Sequence, residues 1–149
     1  MTRNSVLKTF LWYPKDLHKV LGFYKSTFPG FELQSETNLA DGQTFIAEFS
    51  IYGHKLVAMC TPQGEKFNTS ISLSLLVDGQ AEVDRIWEAI TEKGEPGRCG
   101  WCTDEFGVSW QIVPMQMHEH LASADPAKAL YANQALMKMS KIVIEDLYE

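Results

Sequence analysis

Two periods of apolar residues alternate along this chain, and their order repeats. Val6 to Trp12 is a short apolar and β-branched run closed by Pro14, which predicts a strand and a turn. Asp16 is placed to cap a helix in which Leu17, Val20, Leu21, Tyr24 and Phe28 recur every three or four residues until Pro29-Gly30 stops it. Segments near 31–37, 44–51 and 55–60 are rich in Phe, Ile, Val and Thr and are parted by Asp41-Gly42 and Tyr52-Gly53-His54. They predict three antiparallel strands joined by turns.

After the polar stretch 61–68 the order begins again. Ser70 to Val77 alternates, with Ile71, Leu73 and Leu75 on one face and Ser70, Ser72 and Ser74 on the other, as a half-buried strand does. Asp78-Gly79 turns the chain into a second helix with a stripe of Val83, Ile86, Trp87 and Ile90, ended by Gly94. Strands over Arg98 to Thr103 and Val108 to Val113 flank the turn Asp104-Glu105-Phe106-Gly107, and Pro114 ends the second. Each half thus runs strand, acidic turn, helix, hairpin. Their clearest echo sets Tyr52-Gly53-His54-Lys55-Leu56-Val57 against Phe106-Gly107-Val108-Ser109-Trp110-Gln111, an aromatic-Gly turn opening an apolar strand. From Asp125 on, a capping Asp, Pro126 and abundant Ala, Leu, Met and Lys predict helix. Leu130, Leu136, Met137, Ile142 and Leu147 in that tail need a surface to cover, on the same domain or on a second subunit.

Composition narrows the function. A chain of 149 residues suits one domain, and 45% apolar with 21% charged residues is ordinary for a globular protein. A net charge of -6 without any basic cluster argues against nucleic acid. No run of about 20 apolar residues is present to span a bilayer, and Lys8 and Pro14 break the opening segment too early for a signal peptide. Cytoplasmic location is therefore expected. Three cysteines make a disulfide framework an unsuitable explanation and leave thiols to explain singly.

The second hairpin carries a family resemblance. Cys99-Gly100-Trp101, Asp104, Phe106-Gly107 and Ser109-Trp110-Gln111-Ile112-Val113-Pro114 resemble the hallmark of PhnB-like proteins, many labelled 3-demethylubiquinone 3-methyltransferase. Those proteins belong to the glyoxalase/bleomycin resistance/dioxygenase, or vicinal oxygen chelate, superfamily. Further similarity lies in Phe23-Tyr24-Lys25 with Phe28, in Lys66-Phe67-Asn68 leading to Ile71-Ser72-Leu73, in Glu82-Val83-Asp84 with Trp87, and in the tail from Asp125-Pro126 to Leu136 with Met139. The resemblance implies an α+β fold of two βαβββ modules, commonly a homodimer. The expected organisation is a domain over 1–114, its modules at about 1–61 and 70–114, with a helical extension over 115–149.

Metal-dependent members of that superfamily hold a divalent ion with one His or Glu from each of four strands. Matching the strand-to-Asp turns and the aromatic-Gly turns places Thr9, Val57, Ser72 and Gln111 at those positions, with Met59 as a shifted alternative to Val57. None supplies an imidazole, thiolate or carboxylate, so no metal and no cofactor is expected. The expected cleft, made of Thr9, Leu11, Val57, Met59, Ser72, Ser74, Trp101 and Gln111, is of the apolar and hydrogen-bonding kind that takes a small organic molecule. The polar groups in it either serve a ligand or satisfy one another.

Other candidates compete. Cys99-Gly100-Trp101-Cys102 has the spacing of a thiol-disulfide motif, but that chemistry places the first Cys at a helix N-terminus, and a strand is predicted here. His118-Glu119-His120 looks like a ligand cluster, yet residues two apart do not share a helix face, which suggests a solvated connector. His18 and His54 are expected to be exposed, and Asp104 to shape its turn. No GxGxxG, P-loop or GxSxG pattern is present, so neither a doubly wound S-adenosylmethionine site nor a nucleophile elbow is expected. Small-molecule binding is the leading expectation. An isomerase or lyase, a thiol oxidoreductase and an interaction protein using its tail are the alternatives.

Overall fold

The computed structural model describes residues 3–148, and the chain divides into two compact units between Glu65 and Lys66. In the first, β1 (Thr9–Tyr13) leads through α1 (Leu17–Thr27) to β2 (Phe31–Asn38), β3 (Thr44–Ile51) and β4 (His54–Cys60). In the second, β5 (Leu73–Val77), α2 (Gln80–Thr91), β6 (Glu95–Pro96), β7 (Trp101–Thr103) and β8 (Ser109–Pro114) repeat that order. The sheets have matching strand orders, β1-β4-β3-β2 and β5-β8-β7-β6, in which first and last strands run parallel and the other pairs antiparallel. The fold is therefore α+β with two βαβββ modules.

Helix α1 forms because Asp16 accepts a hydrogen bond from the Lys19 amide at 3.3 Å and because Leu17, Val20, Leu21 and Tyr24 lie along one buried stripe. That stripe covers one face of the first sheet. The Tyr13 and Tyr24 hydroxyls meet at 2.7 Å in the interior, and the Tyr24 and Phe31 rings both pack on Phe49. A buried ring of this size contributes on the order of 2–3 kcal/mol. In the second sheet Val83, Ile86, Trp87 and Ile90 of α2 are buried, as are Cys102, Trp110 and Ile112 on the strands. The two aromatic-Gly turns repeat in backbone as well as sequence: Gly53 and Gly107 take φ of 80° and 93°, left-handed values that need no side chain.

Several boundaries differ from the periodic expectation. Val6 and Leu7 are 56% and 95% exposed, because pairing with β4 begins only at Thr9 opposite Leu56. Strand β5 begins at Leu73 rather than Ser70, since the Asn68 side chain draws the Ser70 amide into a turn at 2.8 Å. Residues 97–100 form a turn before β7, with Cys99 and Gly100 at positive φ. The two-residue β6 is too short, and too interrupted by Pro96, to show any period. His118-Glu119-His120 lies in a short helix, α3 (Gln116–Leu121), rather than a connector.

The C-terminal segment belongs to the second unit. Helix α4 (Pro126–Leu136), capped by Asp125, and a 3-10 turn (Ile144–Leu147) bring Ala132, Ile142 and Leu147 against Val113 and Met117. Between them residues 136–142 are strapped to the turn before β7: the Cys99 and Gly100 amides donate to Met139 and Ser140 carbonyls at 2.9 and 2.8 Å. Gln80, at the start of α2, donates to the Ile142 carbonyl at 3.0 Å and accepts from the Ile144 amide at 2.8 Å. Lys141 reaches Asp84 at 2.6 Å, and with Gln80 it holds that carboxyl below its ordinary pKa. Among the described residues no helix is long and apolar enough to cross a membrane.

Gln80→Ala removes both bonds to the tail and should cost about 1–3 kcal/mol. Amide exchange at Ile144 should accelerate while Ile112 stays protected; unchanged exchange at Ile144 would show that Gln80 does not hold the strap.

Candidate functional site

Strand alternation decides which side chains share a surface, because residues paired across a sheet point to the same side. In the first unit Leu11, Tyr13, Ala47, Phe49, Leu56 and Ala58 lie on the face covered by α1. The opposite face therefore carries Phe10 and Trp12 of β1, paired with Val57 and Met59 of β4, and Ile46 and Glu48 of β3. Lys8, just before β1, completes it with an ion pair to Glu48 at 2.7 Å. Phe10 and Trp12 remain 53% and 45% exposed, whereas Val57 is buried.

Thr9 and Leu11 accordingly do not share a surface with Val57 and Met59. Leu11 is buried beneath α1, and the Thr9 hydroxyl shares a hydrogen bond of 2.9 Å with Nε2 of His54. This corrects the expected cleft by one residue. Thr9 opposes Leu56 and Leu73 opposes Trp110, so with the aromatic-Gly turns aligned Thr9 corresponds to Leu73, and Ser72 corresponds to Lys8. The slip arose because TFLWY is apolar on both faces, so period alone does not tell its inside from its outside.

In the second unit Ser72, Ser74, Trp101 and Gln111 do come together, on the face away from α2. Gln111 stands opposite Ser74 on one side and Trp101 on the other, and its Nε2 donates to the Ser72 hydroxyl at 2.9 Å. Lower on this face Val113 is covered by the C-terminal cluster. Asp104 is committed to structure: it is buried, and its carboxylate accepts from the Phe106 and Val108 amides and from the Trp110 indole N–H, all at 2.9–3.0 Å. His18, exposed on α1, shares a 3.1 Å hydrogen bond with the buried Thr44 hydroxyl.

The CGWC thiols are arranged for packing. Cys102 points to the buried side of β7, where burial first and the nearby Asp104 charge second push its pKa up to about 12. Cys99 sits at positive φ in the preceding turn, its thiol donating to the Leu136 carbonyl at 3.4 Å. Strand β7 follows, with no helix N-terminus to stabilise a thiolate. At Cys102 the electrostatics are thus the reverse of those a reactive thiol requires. Metal chemistry fares no better: the register-matched positions are an amine and an alkyl group in the first unit, Lys8 and Val57, and a hydroxyl and an amide in the second, Ser72 and Gln111, and neither pair offers the imidazole or carboxylate that a divalent ion takes. Among the described residues no group of three or more His, Cys, Asp or Glu is placed to hold one.

The sequence signature described as 3-demethylubiquinone-9 3-methyltransferase matches residues 5–113. The chain belongs to this PhnB-like family. Its relatives in three dimensions include a putative 3-demethylubiquinone-9 3-methyltransferase, PhnB protein, from Bacillus cereus, at TM-score 0.66 and 21% identity over 74% of this chain and 99% of that one. The fosfomycin resistance protein FosX from Listeria monocytogenes superposes at TM-score 0.60, with 19% identity over 80% of this chain and 98% of its own. A Pseudomonas aeruginosa protein gives 0.60 and 20% over 73% and 98%. At these identities the likeness is one of fold, that of the vicinal oxygen chelate superfamily. No curated protein matches the chain. In this PhnB-like chain the face away from α1 carries Lys8, Phe10, Trp12, Ile46 and Glu48, which local period does not single out. The available signal was the parity of β1 relative to Tyr13, the residue adjoining the turn into α1.

The Cys102 thiol predicts two outcomes. Native protein at pH 8 should resist alkylation at Cys102 until it is unfolded; labelling at the rate of a surface thiol would contradict the burial. Because the folded-state pKa is raised, the unfolded chain releases the proton first, so stability should fall as pH rises from about 9 towards 12, by on the order of 1 kcal/mol per unit. Cys102→Ala should flatten that decline in equilibrium unfolding.

Proposed function

We propose that this PhnB-like protein binds a small organic molecule, without a catalytic metal, on the face of the first sheet turned away from α1. The observation that carries the reading is the half-exposed pair Phe10 and Trp12 beside the Lys8–Glu48 ion pair. Apolar ring surface next to a few fixed polar groups is the usual make-up of a small-ligand site. In the second unit, Trp101 with Gln111 and Ser72 offers the same combination. The donor sets favour hydrogen bonding and stacking over Lewis-acid chemistry.

The methyltransferase in the family's description does not enter this reading. Transfer from S-adenosylmethionine commonly uses the carboxyl edge of a doubly wound parallel sheet, whereas this chain forms two mixed four-stranded sheets without a glycine-rich phosphate loop. The proposal includes a homodimer, as the resemblance implies, for which exposed Leu130 and Met137 supply apolar surface. It also places the protein in the cytoplasm, where three unpaired thiols stay reduced.

A panel of aromatic compounds should include one that raises Tm saturably and changes tryptophan fluorescence. Trp12→Ala should weaken that compound by about tenfold or more, the scale of a lost ring contact of roughly 1.4 kcal/mol. Exhaustive chelation should leave binding intact. Absence of any saturating compound, or loss of binding on chelation, would defeat the proposal.

A further inference from the structure

The C-terminal extension lies past residues 5–113, the stretch that the family signature covers, and it forms an open cavity of its own. The cavity holds about 570 Å³ where α3, α4 and the 3-10 turn meet. That volume is within the range of small-molecule sites. Three rings and an apolar base form much of its wall. His120 and Tyr148 lie with ring centroids 5.0 Å apart and planes at 30°, Tyr131 borders the cavity from α4, and buried Leu147 lies at its base.

Two opposite charges border the same space. Glu119 comes from α3 and Lys128 from α4, and among the described residues neither has an ion-pair partner, so they flank the cavity without bridging it. The other carboxylate in the wall, Asp125, is engaged as the cap of α4, accepting from the Ala127 amide at 2.9 Å. The lining therefore presents one acceptor charge, one donor charge and aromatic surface. Both side chains are exposed and solvated, so each is available to a ligand charge without an ion pair having to break first. A ligand carrying both signs of charge engages both and sets its apolar body against the rings.

We propose that this cavity binds a small zwitterion with an aromatic body, of the class of free aromatic α-amino acids. Its ammonium group meets Glu119 and the ring faces, which attract cations, and its carboxylate meets Lys128. The site is built from different residues than the sheet-face site proposed above and goes beyond that reading.

Calorimetric titration of the full chain with phenylalanine, phenethylamine and 3-phenylpropionate tests it. Phenylalanine should bind saturably at one equivalent per chain, and each singly charged analogue should bind about tenfold more weakly, the scale of one charge-assisted contact. Glu119→Gln and Lys128→Met, both at exposed positions that the fold tolerates, should each weaken phenylalanine by a similar factor. Trp12→Ala should leave it unchanged. No saturable heat with phenylalanine, equal binding of either analogue, or binding that survives both charge substitutions would overturn the proposal. So would loss of binding in Trp12→Ala, which would place phenylalanine on the first sheet instead.

Discussion

Parallel pairing of the first and last strands in each half is the constraint on which the rest of this structure depends. Tyr13 meets Cys60 and Val77 meets Pro114, so each half must send a helix and two further strands around before its last strand can close against the first. That closure fixes parity. With Tyr13 tied to Tyr24 of the helix, every second residue of β1 is committed to the covered face, and Lys8, Phe10 and Trp12 are left to the other. A shift of one residue would exchange the two sets entirely. The polar pair Gln111–Ser72 and the ion pair Lys8–Glu48 are consequences of that parity, each seated on the face its helix leaves bare.

The second half has an additional obligation. Its turn at 97–100 uses left-handed backbone at Cys99 and Gly100, and this aims consecutive amides outward, where the carbonyls of Met139 and Ser140 take them. The tail is thereby held by backbone bonds, by Gln80 and by the apolar contact of Ile142 and Leu147 with Val113. A side chain on Gly100 would run into Ile142, so the close approach of strap and turn depends on that glycine. The same strap brings α4 and the 3-10 turn together around the cavity lined by Glu119, Lys128 and Tyr148.

Fold and chemistry separate in this PhnB-like protein. The superfamily architecture is present in both halves, yet the positions that face away from the helices carry hydrogen-bonding and apolar groups. The CGWC sequence likewise resembles a redox motif in spacing alone. Its second thiol lies under a helix, where desolvation and the Asp104 carboxylate stabilise the protonated form. Spacing describes what residues a motif contains; thiolate chemistry depends on the field around them.

Most of the element order was legible in the chain itself. The stripes of α1 and α2, the turns at Asp41-Gly42 and Tyr52-Gly53, and the duplicated order all follow from local period and turn chemistry, which act over a few residues. The grouping of Ser72, Ser74, Trp101 and Gln111 was legible too, because Ser70 to Val77 alternates polar against apolar. For β1 no such contrast exists, since Thr9, Phe10, Leu11, Trp12 and Tyr13 suit either side of a sheet. Only the tertiary pairing of Tyr13 with Tyr24 and of β1 with β4 decided that Trp12, not Leu11, faces away from the helix. The cavity in the extension was hidden for a similar reason: its rings and charges come from segments 119–131 and 147–148, which no local period connects and which packing alone brings together.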